Sequence, residues 1–188
     1  MKSMDTLTTI FSHNLWANEK LIDACADLSI EQLNTPFLGT YGSIYDTFRH
    51  IARAEQSYFS RISTGLQYQH PEGADEMTLL EIKESLIKTG TGLINWAKKI
   101  QAKDKVLIDW DGIPREVTKV ILLNQAINHA TEHRAQIMVI MTQLGVAPPS
   151  LDSWTYFDEQ AEAMQGSKAR TTRPTAFSNS RLILFSFT

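Results

Sequence analysis

Two histidines stand four residues apart in the stretch INHATEHRAQI, residues 127–137. Because an α-helix has about 3.6 residues per turn, His129 and His133 would lie roughly 40° apart around a helix and could reach one point in space. Each neutral imidazole offers one lone pair, and two from adjacent turns can bind one metal ion at about 2.0–2.1 Å. Position 130 is alanine where the zincin proteases have their glutamate base, so the pair does not predict a zincin site.

A third ligand has to come from another segment of the chain, and His50 is the best candidate. It is offset by about 100° from its neighbour Ile51, which places it on the flank of an apolar helical face. Three histidines with open coordination positions would form a catalytic type of metal site, not a closed structural one. The alternative is that these histidines are surface residues, or core residues satisfied by hydrogen bonds. Because an unpaired buried imidazole is costly, their place on an apolar face supports the metal site. The residues alone leave both interpretations open.

The remaining histidines and the single cysteine are less promising as functional groups. His13, in SHNLWAN, could be a fourth ligand, a group that orients the ligands or an interface residue, but a partly exposed helical histidine is the favoured interpretation. His70 precedes Pro71 and is expected in an exposed loop. Cys25 is expected to be a small buried hydrophobe and Trp16 a core residue.

Two glutamates are candidates for moving protons. They are Glu55, on the same segment as His50, and Glu132, which adjoins His133 but points about 100° away from it. Neither is assigned as a general base, and no catalytic residue is predicted.

Four long segments would have to position these residues, and each has apolar side chains at helical spacing. They run from about Asp5 to Asp27, from Ser43 to Gly65, from Thr78 to Ile100 and from Thr118 to Leu144. Ser43 and Thr78 each begin a capping box, and Gly65 and Gly145 are typical helix ends. The His pair continues the apolar face of the fourth segment, which comprises Leu122, Ala126, Ile137, Ile140 and Leu144. We predict an all-α four-helix bundle.

Two shorter elements and a tail complete the chain. The stretch KVLIDWDGIPREV, between segments three and four, predicts a small hairpin that turns at Asp111-Gly112. A short extra helix is expected from about Asp152. From Gly166 the chain is basic and rich in Ser and Thr, which is typical of a poorly ordered end whose apolar tip RLILFSFT docks on the bundle or on a partner; anion binding is the alternative. We therefore predict a bundle domain over residues 1–165 and a tail over 166–188.

Composition excludes several classes of protein. The 188 residues are 43% hydrophobic and 21% charged, which is the balance of one soluble domain. The chain lacks both an apolar run of about 18 residues and the apolar core of a secretory signal, so no membrane span is expected. A lone cysteine favours a reducing cytoplasm, and the net charge of -3 argues against a nucleic-acid partner.

Four stretches together resemble the DinB/YfiT-like metalloenzyme superfamily. They are FSHNLWANEKLI, GSIYDTFRHIARAEQSYFSRI, ILLNQAINHATEHRAQIMVIMTQLGVAPP and LDSWTYFDEQ, which follow one another in the family's order between about residues 7 and 160. The chain departs from the family in having Glu132 where many relatives have histidine, and Ala135 where glycine is common. Neither change removes a candidate ligand. The tail after about residue 166 has no counterpart in the family.

The resemblance implies a four-helix bundle with one divalent metal ion, zinc or nickel, bound by His50, His129 and His133. It also implies a homodimer and a small-molecule substrate. Relatives include transferases and isomerases that use low-molecular-weight thiols, and others are described as metal-dependent hydrolases. Two hypotheses follow for this chain: a metal-dependent thiol transferase or hydrolase, or a non-catalytic, metal-binding or stress-responsive bundle that acts through partners.

Overall fold

The structure, a computed structural model, describes residues 5–71 and 77–171. The elements in chain order are α1 Thr6–Ala24, α2 Ile30–Asn34, α3 Ile44–Thr64, α4 Leu79–Ala97, β1 Lys105–Trp110, β2 Ile113–Thr118, α5 Lys119–Gln143 and α6 Ser153–Thr171. The four long helices α1, α3, α4 and α5 correspond to the four predicted segments. Helix α1 packs on α4 and α5, and α3 also packs on α4 and α5, so the predicted four-helix bundle is confirmed. No helix in the described ranges is long and apolar enough to cross a membrane.

Local side-chain chemistry sets the ends of these helices. Ser43 and Asp46 form a reciprocal capping box at the start of α3. Thr78 and Glu81 do the same for α4. Gly65, with φ 78°, ends α3 in the left-handed conformation that glycine adopts without steric cost. The short helix α2 was not predicted, because its five residues are too few to show a periodic pattern.

A two-stranded hairpin connects α4 to α5. Strands β1 and β2 are antiparallel, and Trp110 pairs with Ile113 across a two-residue turn. The turn residues Asp111 and Gly112 both have positive φ, 54° and 79°, as a type I′ turn requires. Val106 and Ile108 of β1 are buried in the same apolar cluster as residues of the bundle helices.

The described residues fall into two compact units, a first that ends at Asp152 and a second that begins at Ser153. In the second unit α6 has 19 residues, so it is longer than the short helix expected, and it passes through the predicted boundary at residue 165 to end at Thr171. Residues 172–188, with the apolar tip, lie outside the described residues. The division into domains 1–165 and 166–188 remains a prediction.

A layer of buried polar side chains crosses the bundle. The Oε1 atom of Glu55 accepts hydrogen bonds from the amides of Asn14 (3.1 Å) and Asn18 (2.8 Å), and its Oε2 atom accepts one from Thr89 (2.9 Å). The Nη1 atom of Arg134 donates to the Oδ1 atoms of the same two asparagines, each at 2.7 Å. The asparagines therefore bridge a buried carboxyl group and a buried guanidinium group, and the layer joins α1, α3, α4 and α5.

This polar layer divides the apolar core into two clusters along the helices. Along each of α1, α3 and α4, the residues of the polar layer come after residues of one apolar cluster and before residues of the other. The first cluster includes Leu21, Ile22, Phe48, Ile51, Leu86, Ile137 and Ile140, and the second includes Phe11, Ile62, Leu93, Leu122 and Ala126. Because every member of a buried polar layer needs a specific partner, the layer restricts the register in which the helices can pack.

Two glycines in α4 allow the neighbouring helices to approach closely. A Cβ atom added to Gly90 would lie 2.9 Å from Cδ1 of Leu15 in α1, and one added to Gly92 would lie 2.4 Å from Cε2 of Phe59 in α3. Glycine within a helix costs about 1 kcal/mol of stability relative to alanine. The close contacts between helices explain why glycine is nevertheless found here.

We expect Gly92→Ala to lower the free energy of unfolding by about 1–3 kcal/mol, because the rigid ring of Phe59 cannot move aside without repacking. Thr91→Ala at the adjacent exposed position is the control, with an expected change within about 0.5 kcal/mol. Denaturant unfolding measures both. A stabilised Gly92→Ala protein would show that helix propensity outweighs the contact.

Candidate metal centre

The structure brings together the three histidines singled out by sequence. His50 comes from α3, and His129 and His133 come from successive turns of α5. Their ring centroids are 4.7 Å apart (His50 to His129), 4.7 Å apart (His50 to His133) and 4.5 Å apart (His129 to His133). One ligand-capable nitrogen from each ring lies within 4.8 Å of the others. The orientation of α3 therefore turns the flank of its apolar face toward α5.

All three rings are at least partly removed from solvent. His133 is buried, with 8% of its surface exposed, and the other two are half-buried. Burial, and then the neighbouring His133 and His50, lower the pKa of His129 from 6.5 to about 4. Burial, followed by His133 and Arg53, also lowers the pKa of His50. The Nε2 atoms of His50 and His129 are 2.9 Å apart, the distance of an N–H···N hydrogen bond between neutral rings.

A glutamine and a tyrosine support the histidines from outside. The Oε1 atom of Gln136 lies 3.2 Å from Nδ1 of His133 and also accepts the backbone N–H of Tyr41 at 2.9 Å. Since an amide oxygen only accepts, Nδ1 of His133 carries the proton and Nε2 keeps its lone pair. The ring of Tyr41 stacks on His50 at 4.0 Å and meets His133 edge-on at 5.3 Å.

A metal ion requires a particular spacing of its imidazole ligands. Two imidazole nitrogens on one tetrahedral zinc ion would be about 3.3 Å apart, given bonds of about 2.0–2.1 Å. The nitrogens here are within 4.8 Å of one another, and the 2.9 Å pair is slightly closer than that spacing. Neutral imidazoles suit zinc and nickel, so the residues fit such an ion.

Beside the histidines lies an open cleft, which we call the His50 cleft. It has a volume of about 460 Å³ and is lined by Tyr41, Asp46, Arg49, His50 and Arg53. Such a volume is in the usual range for small-molecule sites. Sequence analysis missed Tyr41, Gln136 and the two arginines. Of these only Gln136 had a usable local signal, because residues three apart on a helix are neighbours and it follows His133 by three.

The other candidate histidines have different roles. His13 is partly buried, as expected, and its Nε2 atom donates to the carbonyl oxygen of Leu151 at 2.8 Å. Among residues 5–71 and 77–171, only one group of three or more side chains could hold a metal ion together, and His13 is not part of it. His70 is exposed, as expected. Trp16, expected in the core, is only half-buried, with the ammonium group of Lys20 lying 4.8 Å from its ring centre.

The structure also shows the surroundings of the cysteine and of the two glutamates. Cys25 is fully buried, and burial raises the pKa of its thiol to about 12, so the prediction of an inert buried residue is confirmed. Glu55 belongs to the buried polar layer, where desolvation raises its pKa although the hydrogen bonds from Thr89 and Asn18 oppose this. Glu132 is exposed to solvent.

The fold and the site together define a class of protein. It is a helical bundle in which three histidines from two helices converge beside a cleft. The model of the DinB family matches residues 2–168, so the chain belongs to the DinB family. The predicted family resemblance is thereby confirmed.

Among solved structures, the chain is similar to a DinB-like protein from Bacillus cereus, with a TM-score of 0.55 and 21% identity over 74% of this chain and 91% of that one. At that identity the likeness concerns the fold alone. No curated protein matches the chain.

The lowered pKa values predict how stability depends on pH in the metal-free protein. Between pH 6.5 and about 4 the unfolded chain holds a proton on residue 129 that the folded chain does not, so stability should decrease as the pH falls through this window. His50 should act in the same direction. Melting temperatures of chelator-treated protein would measure the effect. We expect a shallower decrease in His129→Gln, and equal slopes in the two proteins would contradict the prediction.

Proposed function

We propose that this protein is a metal-dependent enzyme in which His50, His129 and His133 hold one divalent ion, zinc or nickel. The substrate is a small molecule that binds in the His50 cleft, and the reaction is thiol-dependent group transfer or hydrolysis. The observation that carries the proposal is the convergence of three ligand-capable nitrogens within 4.8 Å of one another, one of them from His50, which lines an open cleft.

The number and charge of the ligands favour catalysis over a structural role. Three protein ligands leave room for an exchangeable one, and three neutral ligands leave a divalent ion with its full charge. When bound, such an ion can lower the pKa of a coordinated water to about 7 or ionise a coordinated thiol. The first outcome suits hydrolysis, and the second suits thiol transfer.

The chain's own residues prepare this chemistry. Gln136 holds the tautomer of His133 that leaves Nε2 available. The low pKa of His129 means that a proton competes little with a metal ion for that ring near neutral pH. Tyr41 covers one face of His50 and forms part of the cleft wall. Gln136 thus orients one ligand, and Tyr41 shields another.

In a transferase reaction the thiol has to be supplied by a second substrate. Cys25 is the only cysteine, and it is buried with a pKa of about 12. Its Sγ atom contacts the sulfur of Met141 at 3.9 Å within the apolar core. A low-molecular-weight thiol that enters the His50 cleft is therefore the proposed nucleophile.

An activity screen distinguishes the two reactions. Zinc- and nickel-loaded protein would be supplied with several low-molecular-weight thiols and an electrophile, and separately with simple esters and amides. Thiol-dependent turnover that disappears in His133→Ala would support group transfer, and turnover without thiol would support hydrolysis. Stoichiometric metal without turnover in either series would favour the non-catalytic, stress-responsive alternative.

We also propose a homodimer, for which the support is the family resemblance and the apolar surface of the bundle. Ile121 and Val139 of α5 are 56% and 49% exposed, and a partner copy would cover such side chains. Light scattering at micromolar concentration should give twice the 21.2 kDa of one chain. A mass near that of one chain would contradict the proposal.

A further inference from the structure

Two arginines accompany His50 in the lining of the cleft. Arg49 and Arg53 are four residues apart on α3, so they lie on neighbouring turns of one helix face. Both line the His50 cleft.

The guanidinium group of Arg49 is held in place before any substrate arrives. Its Nη2 atom donates to Oδ1 of Asp46 at 2.5 Å, and its Cζ atom lies 4.9 Å from the ring centre of Tyr45. Asp46 is fixed in turn by Ser43, whose hydroxyl donates to its Oδ2 atom at 2.7 Å. A guanidinium group oriented in this way loses little conformational entropy when it binds an anion.

The cleft has the opposite charge from the chain as a whole. Its lining contains two guanidinium groups and one carboxylate, which leaves one positive charge while His50 is neutral. The chain has a net charge of -3. A planar guanidinium group matches the two oxygens of a carboxylate. Among the arginines themselves, Asp46 offsets one of the two guanidinium charges, and a carboxylate monoanion matches the single charge that remains.

We propose that Arg49 and Arg53 bind a carboxylate group of the substrate, so that the proposed enzyme acts on a small carboxylate-bearing molecule whose reacting end lies at the three histidines. This inference rests on the proposed function, since it assigns the substrate class of the same site. The arginines give the cleft specificity, and the histidines provide the site of reaction.

The test compares two thiols of the same shape. Calorimetric titration of zinc-loaded protein with 3-mercaptopropionate and with 3-mercaptopropionamide compares a carboxylate with an uncharged amide. We expect the carboxylate to bind about ten- to a hundredfold more tightly, as a charge-assisted hydrogen bond allows. In R49Q/R53Q the two thiols should bind alike, while zinc content and melting temperature stay near those of the wild type.

Two further variants make the comparison specific. R53Q leaves the Arg49–Asp46 pair intact and should lose part of the preference. R61Q is the matched control, because Arg61 is on the same helix but pairs with Ser57 and is not part of the cleft lining, so it should keep the full preference.

Each negative result would overturn a different part of the proposal. Equal binding of the two thiols to the wild type would overturn the inference alone, as would a preference that persists in R49Q/R53Q, because the carboxylate would then be binding the metal. Stronger competition by inorganic phosphate than by acetate would overturn the choice of a carboxylate. If neither thiol bound the zinc-loaded wild type, the thiol-transfer form of the proposed function would fall, and this inference with it.

Discussion

His129→Ala is expected to reduce bound divalent metal from about one ion per chain to a small fraction of that, with a loss of affinity of at least roughly a hundredfold. The physical reason is that His50 and His133 alone offer two ligands where the cluster offers three. Elemental analysis after dialysis against a defined free concentration of zinc or nickel would measure the difference.

The chain offers a matched control for this experiment. His70 is also a histidine, but it is exposed in the loop that follows α3, and it is not in the three-histidine group. His70→Ala should therefore retain the metal content of the wild type. Equal metal content in the wild type and His129→Ala would mean that the cluster does not hold the ion.

Arg134→Met is expected to lower the free energy of unfolding by about 3–5 kcal/mol, the usual cost of removing one partner of a buried charge pair. The substitution would remove the donor to Asn14 and Asn18 and leave Glu55 buried without a compensating charge. For a chain of this length, the melting temperature should fall by roughly 6–20 °C. Calorimetry and urea unfolding would both measure this loss.

A second substitution separates charge from packing. Glu55→Gln keeps the size of the side chain and removes its charge, so Glu55→Gln/Arg134→Met should be more stable than Arg134→Met alone. The coupling between the two changes then reports the electrostatic part of the buried polar layer. A loss below about 1 kcal/mol in Arg134→Met would show that the layer contributes little to stability.

Much of the fold can be predicted from the sequence because its determinants are local. The capping boxes at Ser43 and Thr78 and the turn at Asp111-Gly112 depend on residues within three positions of one another. The spacing of His129 and His133 likewise follows from helix geometry alone. The apolar faces of the four long helices then leave few architectures other than a bundle.

The sequence was less informative wherever a residue's role depends on a distant partner. Glu55 and Arg134 are charged, and such residues are almost never fully buried unless they are paired, so no local pattern in the sequence predicts their burial. Their pairing runs through Asn14 and Asn18, which are more than 30 positions from Glu55 and more than 110 from Arg134. Gly90 and Gly92 lower the helix propensity of α4, and only the packed structure shows that they lie at close contacts between helices.

By itself, then, the sequence determined the helices, their ends and the histidine pair, because each depends on backbone geometry within a few residues. Only the tertiary structure decided that His50 meets this pair, since that depends on how α3 is rotated against α5 by packing of the core. The same packing places Tyr41 against His50 and its backbone N–H against Gln136. The contact of His50 with His129 spans 79 positions, and that of Tyr41 with Gln136 spans 95. Such contacts produce no periodic pattern in the sequence, because their geometry exists only once the helices have packed.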